Sequence, residues 1–266
     1  MIRPTRRALG PVAIAIGVVA AWEIVLHLFR VPGYVLPRPS AIIHKAAADW
    51  PVLASGVATT LGEAAAGYLI GNAAGFVLAV LFFYRPGLGR LAMLPLVASN
   101  SVPAVAFAPV VVLWLGVGVA SKVVLVAFIT AFIMLQSELQ GLRQVDPQAV
   151  NVLRSFGAGS WRIFWMLRFP ASLPFLFNAL RLGSIRSVII AIVAEMLGAY
   201  RGIGWVIFET TASMDYSRLW AAVAAASGAG VVFFALVSAL ERRLVWWHVS
   251  IGGTSRRARR KTRGIA

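Results

Sequence analysis

Seven polar or charged residues interrupt runs that are otherwise apolar: Glu63, Asn72, Ser99, Asn100, Ser101, Arg186 and Glu195. A charge in such a setting is costly unless it is paired, protonated or wet. The chemistry these residues suggest is binding rather than bond-making: the lining of a solute path, or ion pairs that lock helices. Arg186 lies deep in its run and needs a partner, with Glu63 and Glu138 as candidates. A structural ion pair and contact with a solute both remain open for it. The triplet Ser99-Asn100-Ser101 sits among Pro95, Pro103 and Pro109. Prolines free backbone carbonyls, which are tolerated where they face protein or a water-filled cavity. A kinked packing helix and a pathway lining both fit that pattern.

Catalytic chemistry lacks its parts. His27, His44 and His248 have no metal-ligand spacing, and the chain has no cysteine, so thiolate metal sites and disulfides are excluded. No nucleophile–base motif accompanies the serines. There is no GxxxxGK[ST] loop, and the glycine-rich GAYRGIGW at Gly198–Trp205 is not a GxGxxG turn after a strand, which argues against nucleotide binding. An intramembrane enzyme and an ion-coupled secondary transporter stand as the other classes. The second would be favoured by inverted repeats, and none is visible.

A second feature is the stretch Val145–Pro174, which carries Asp146, Arg154, Arg162 and Arg168 and so faces water. Asp146-Pro147 is a helix start, an N-cap acid followed by proline in the first turn. Gly157 is a stop signal after the apolar positions Ala149, Val150, Val152, Leu153 and Phe156. A second amphipathic piece, Trp161–Phe169, is expected next, with Pro170 and Pro174 breaking the chain after it. Val150, Leu153 and Phe156 project together at helical spacing. By chemistry alone this helix either lies on lipid headgroups or docks another protein.

The elements that hold these residues are membrane spans. Of the 266 residues 60% are hydrophobic and only 13% charged, with a mean hydropathy of +0.83, well below the charge content of soluble domains. Six helical spans are expected, near 8–29, 57–84, 91–113, 122–140, 175–196 and 219–240, because a bilayer core of ~30 Å needs about 20 residues. The first apolar run is too long for a signal peptide and is read as a retained span. Gly67, Gly71 and Gly75 put three small residues on one face of the second span, which lets another helix approach closely. The net charge of +16 sits mainly at the chain ends and in two loops. Seventeen Lys and Arg fall on one set of span ends and six on the other, the positive-inside pattern rather than a nucleic-acid surface. The tail Arg256–Arg263 is expected to be disordered and drawn to anionic lipid.

The order D-P-x(9)-G-A then F-P-x(2)-L-P, from Asp146 to Pro174, resembles the cytoplasmic signature loop of ABC-importer permeases. LPRPSAI at Leu36–Ile42, the run APVVVLWLGVGVASKV from Ala108, LRLGSIR at Leu180–Arg186 and AEMLGAYRGIGW at Ala194–Trp205 are similar to the nitrate/sulfonate/taurine-type branch. The resemblance implies an all-α polytopic protein of the type I importer-permease fold, one permease domain over 1–266 with its core at about 8–244. It implies a bacterial inner-membrane location and a second permease copy, as a homodimer; the basic asymmetry puts both termini in the cytoplasm. Two ATPase subunits would hold ATP and magnesium, this chain holding no cofactor, and an extracytoplasmic binding protein would deliver the solute. Asp146, Val150, Asn151, Leu153, Arg154, Phe156 and Gly157 would couple to the ATPase. Arg201, Glu209, Asp215 and Arg218 would meet the binding protein or form a solvated loop face. The solute expected is a small organic or inorganic anion such as a sulfonate, taurine, nitrate or aromatic carboxylate. Three departures stand out: Asn151-Val152-Leu153 replaces a usual Glu-Ala-Ala, a further proline near Ser101 is missing, and Glu63 replaces an arginine. The last points to a second solute class, pyrimidine vitamin precursors and similar less anionic compounds.

The basic asymmetry predicts that Val145–Pro174 is cytoplasmic. With no native cysteine, Ser160→Cys should resist an impermeant thiol reagent in intact cells and react after permeabilisation; labelling of intact cells contradicts the orientation.

Overall fold

The computed structural model describes residues 5–244, with side chains for 13–103 and 105–240. Arg3, His248 and the tail Arg256–Arg263 lie outside the described residues. The described chain runs α1 (Thr5–Leu28), α2 (Pro39–Ala48), α3 (Trp50–Tyr84), α4 (Pro86–Ser101), α5 (Ala104–Leu115), α6 (Val119–Arg143), α7 (Pro147–Ser155) and α8 (Ser160–Ile163). A π-turn (Phe164–Arg168) leads into α9 (Phe169–Gly198), followed by α10 (Ile203–Ala212) and α11 (Tyr216–Leu244). Four stretches are long and apolar enough to cross a bilayer: Trp50–Tyr84, Val119–Arg143, Ser160–Gly198 and Tyr216–Leu240. Helices suit that solvent because they satisfy their own backbone donors and acceptors. Ala13–Leu28 is a shorter apolar helix.

Two expected boundaries change. The span at 91–113, expected to be interrupted among its prolines, is two helices bent by 103°, a sharper change than a kink. The break falls at Val102-Pro103, where Val102 is extended (ψ 129°). Proline lacks the N–H that would continue α4 and pushes its predecessor out of the helical region. Conversely, Pro170 and Pro174 do not break the chain. The π-turn is closed by the Phe169 N–H donating to the Phe164 carbonyl, and Pro170, which has no N–H to donate, follows it directly in α9. Trp161–Phe169 is therefore not a separate piece but the start of a helical path that continues to Gly198.

The contacts divide the chain into two units, one comprising the chain up to Gly62 with Ile192–Ala229, the other Glu63–Ala191 with the chain from Gly230. The first unit is built on Ile42, Leu53, Ile203, Val206, Ile207 and the alanines Ala221, Ala222 and Ala226. Trp22 meets Trp220 edge-on there, with ring centroids 5.8 Å apart. In the second unit, Ala79 and Phe82 of α3 pack on Leu135 and Leu139 of α6.

The same two helices approach most closely at the glycine row. A Cβ on Gly67 would meet Val126, one on Gly71 would meet Thr130 and the Ala127 backbone, and one on Gly75 would meet the Ala131 backbone and Met134. Tyr68 Oη, on this face, donates to the Leu180 carbonyl of α9 (3.0 Å), which ties a third helix to the pair. Gly71→Leu should lower the thermal midpoint of the detergent-purified chain by an overpacking cost of about 1–3 kcal/mol or more. Gly62→Ala, where an added Cβ meets nothing within 4 Å, should leave it unchanged. Equal midpoints for Gly71→Leu and wild type would contradict the close approach.

Candidate functional site

The helix α7 is built as its residues dictate. Asp146 caps it by accepting from the Gln148 N–H (2.9 Å), with Pro147 at the first position. At the other end Gly157 has φ +79°. The Ala158 N–H donates to Leu153 O (3.0 Å) and the Gly157 N–H to Arg154 O (2.9 Å), a Schellman closure that requires a left-handed residue at this place. An added Cβ at Gly157 would meet nothing within 4 Å, so glycine is there for its backbone and not for space.

Its faces are divided. Val150 is 5% exposed and Phe156 82%, while Leu153 is half-buried and Asn151, Val152 and Arg154 are exposed. The expectation of one uncovered face running Val150–Leu153–Phe156 is thus corrected: this chain covers Val150 itself. Pro147, Val150, Asn151 and Arg154 share one side of the helix and line a cleft of about 300 Å³ with Phe83, Arg143 and Arg168. Arg168 spans that cleft's wall, its Cζ 4.5 Å from the Phe83 ring centroid and its Nη1 donating to Leu142 O (3.1 Å). The exposed apolar residues Val152 and Phe156 are left free for something outside the chain.

A second constellation surrounds Glu195, which is fully buried in α9. Its carboxylate accepts from the Thr60 hydroxyl (2.7 Å) and the Gly204 N–H (2.7 Å), while Thr60 Oγ1 accepts from the Ile203 N–H (2.9 Å). These are the unpaired N–H groups at the start of α10. Gly202 (φ +102°) and Gly204 lie so close that a Cβ on either would run into Glu195. The glycines of GAYRGIGW thus let the backbone close on a carboxylate of the same chain. Thr60 carries no motif, and sequence reasoning missed it; its only signal was a hydroxyl in an apolar helix.

The remaining expected site residues fall in different settings. Glu63 and Asn72 are buried in α3, and Asn72 Nδ2 donates to Tyr68 O (2.7 Å). Ser99 and Ser101 turn back on the helix, donating to Pro95 O (2.8 Å) and Val97 O (3.0 Å). Ser99 and Asn100 are half-buried and Ser101 exposed. Arg186 is exposed on α9, on the same stripe as Asn178 and Leu182. Glu138, one of its candidate partners, instead accepts from the Ser172 hydroxyl (2.6 Å).

Among the residues expected to meet a binding protein, Arg201 and Glu209 are exposed. Asp215 and Arg218 are engaged within the chain: Asp215 pairs with Lys45 (3.2 Å) and Arg218 with Asp49 (3.0 Å). The Asp215 carboxylate holds the Lys45 ammonium above its usual pKa. Any stability from that shift is fully present below the ordinary lysine value and is lost only as pH rises through the raised one.

The described chain is thus polytopic and helical, with a capped, amphipathic helix between two long apolar stretches. The family model for the inner membrane component of binding-protein-dependent transport systems matches residues 71–246, and this chain belongs to that family. It is a permease subunit of an ABC importer, not an enzyme; ATP hydrolysis belongs to a separate subunit. The chain is 28% identical over 242 residues to the formylaminopyrimidine transport permease protein ThiX of Halalkalibacterium halodurans, covering 91% of this chain and 96% of that one. It is 28% identical over 234 residues to the riboflavin transport system permease protein RibX of Chloroflexus aurantiacus, covering 86% of each. The taurine transport system permease protein TauC of Escherichia coli is 27% identical over 147 residues, 55% of this chain and 54% of TauC. The fold is that of the permease in the inward-facing MetNI methionine ABC transporter (TM-score 0.63, 19% identity, 73% of this chain and 97% of that one). It is equally that of an amino acid ABC transporter solved with histidines (TM-score 0.60, 18% identity, 73% and 94%).

Glu195→Ala would strand the Gly204 N–H in a buried place, while the Thr60 hydroxyl keeps the Gly56 carbonyl (3.0 Å) as its acceptor, a loss of about 1–3 kcal/mol. Asp215→Asn breaks only a solvent-screened ion pair with Lys45, which contributes little to stability. Thermal melting of the purified chain should therefore separate the two variants clearly; equal, small shifts would contradict the clamp.

Proposed function

We propose that this chain imports a small organic or inorganic anion. The observation that carries the reading is Arg186, exposed on the long apolar helix α9 with no ion pair among the described residues. A guanidinium so placed is costly against lipid and is stable against water, a solute or a neighbouring subunit. Asn178 and Leu182 lie on the same stripe. Together with Ser99, Asn100 and Ser101 they form the chain's share of a wet pathway, which two copies complete as a homodimer, each working as one permease domain. Glu63, Asn72 and Glu195 are buried and serve packing instead. The taurine relative transports a sulfonate by its name, which agrees with a cation in the path. A second reading rests on Glu63, an acid where an arginine is usual, and on the formylaminopyrimidine relative: a neutral or weakly basic pyrimidine would not need Arg186.

The bilayer orientation has both termini and α7 in the cytoplasm. An extracytoplasmic binding protein delivers the solute, meeting the exposed Arg201 and Glu209, while Asp215 and Arg218 hold their surroundings in shape. ATP and magnesium bind two partner ATPases, whose closure moves α7. Phe156, Val152 and Asn151 contact the ATPase, Leu153 fills in behind them, Val150 and Arg154 tie the helix to its own chain, and Asp146 and Gly157 fix its ends. The energy comes from the different binding of the two states by the closed and open ATPase pair.

In proteoliposomes with both partners, Arg186→Gln should cut uptake of taurine or another bound anion at least tenfold while the assembled complex stays intact, a loss of ~1.4 kcal/mol or more. Unchanged uptake of an anion in that variant, or transport of a pyrimidine alone, would overturn the anionic reading. Gly157→Val and Phe156→Asp should abolish transport and leave ATP hydrolysis unresponsive to loaded binding protein, because a β-branched residue disfavours positive φ. Wild-type coupling in both would remove α7 from the coupling role.

A further inference from the structure

The cleft beside α7 has a composition that its role as a support for the helix does not explain. Three guanidinium groups line it: Arg143 from the last residue of α6, Arg154 from α7, and Arg168 from the π-turn. No acidic residue lines the same cleft. The nearest carboxylate in sequence, Asp146, is committed to capping α7 through the Gln148 N–H (2.9 Å). Like charges brought to one cleft repel unless something between them carries the opposite sign. Arg143 and Arg154 are exposed and have water to turn to, yet they share this lining with the half-buried Arg168, so the common lining marks a place for an anion.

Shape and donor chemistry narrow the class. The volume of about 300 Å³ equals that of roughly ten waters and lies at the small end of ligand sites. Arg168 is set in place by the Phe83 ring at 4.5 Å and by its bond to Leu142 O, which leaves most of its five N–H donors unspent. Planar guanidinium forks recognise phosphate and carboxylate oxygens by paired hydrogen bonds. Asn151 adds an amide to the rim, and Val150 and Phe83 supply an apolar floor. Three cations with no anion of their own favour a ligand of more than one negative charge or a phosphodiester with further oxygens, hence phosphate over a simple carboxylate. We propose that the Arg143–Arg154–Arg168 cleft binds a phosphate group, carried by an anionic phospholipid headgroup or by a soluble phosphate compound. The bound group bridges α7 to α6 and to the π-turn. The site itself stands independently of the coupling reading; only the effect of that bridge on ATP-driven movement rests on it.

The test uses the full-length permease without its ATPase, so its outcome is independent of coupling. The thermal midpoint is followed at constant ionic strength, with inorganic phosphate titrated against chloride in neutral-lipid nanodiscs, and with phosphatidylglycerol replacing phosphatidylcholine. Saturable stabilisation by phosphate identifies a soluble anion; stabilisation by phosphatidylglycerol alone identifies the headgroup. In either case Arg143→Gln/Arg154→Gln should weaken the apparent affinity about tenfold or more, since each charge-assisted bond removed is worth more than a neutral one. Arg143→Lys/Arg154→Lys, which keeps the charge and guards against misfolding, should lose less, and Arg90→Gln on α4 should match wild type. No saturable effect of either probe, or equal effects in wild type and in the Gln variant, overturns the site.

Discussion

Backbone-to-backbone contact between α3 and α6 is the constraint on which the larger unit depends. Gly67, Gly71 and Gly75 remove every Cβ that would hold the two helices apart. In a bilayer, where lipid tails solvate apolar side chains as well as other helices do, close packing is what favours association. The approach brings Thr130 and Met134 of α6 against α3, and Ala79 and Phe82 onto Leu135 and Leu139 further along. Tyr68 carries the same face on to α9 through the Leu180 carbonyl. The end of α6 is thereby fixed, and α7 starts four residues later. In the proposed coupling role α7 can transmit force only from a stem that does not yield, and the glycine row supplies that stiffness without any charge.

Buried polarity in this protein is spent on shape. Glu195 gathers the first N–H groups of α10 with the help of Thr60, and Glu138 is bonded to Ser172 across α6 and α9. Each carboxylate fixes a junction at which a helix starts or two helices cross. The arginines are arranged differently. Arg186 is exposed on an apolar helix, and Arg143, Arg154 and Arg168 share a cleft. Glu138 and Glu195 hold helices together inside, whereas these arginines stand at the surface or in a cleft; Lys122, by contrast, is a buried cation.

Much of this was legible in the residues. Asp146-Pro147 and Gly157 gave both ends of α7 because capping is local: one side chain, one ring and one positive φ decide it. The glycine interval announced the close helix pair for the same reason, since a period of four on a helix needs no tertiary knowledge. Prolines were read less well. Pro103 breaks its helix, whereas Pro170 is absorbed by a π-turn, and that difference depends on which carbonyls the neighbouring residues satisfy. The partners of buried acids were not legible at all. Thr60 and Glu195 are 135 residues apart, and of the two unranked candidate partners of Arg186, Glu63 and Glu138, the second accepts from Ser172. The covering of Val150 by its own chain was hidden likewise, because a helix pattern gives a face but not what lies against it.

α7 is the place proposed for contact between this permease and the subunit that hydrolyses ATP. Val152, 55% exposed, gives a direct readout, because Val152→Cys would be the sole thiol in the chain. In membranes holding the assembled importer, a short bifunctional reagent at this position should link the permease to its ATPase partner, and the yield should change when ATP is added. Linkage that never includes the ATPase, while a cysteine at exposed Arg201 on the α9–α10 connection captures it, would contradict the account.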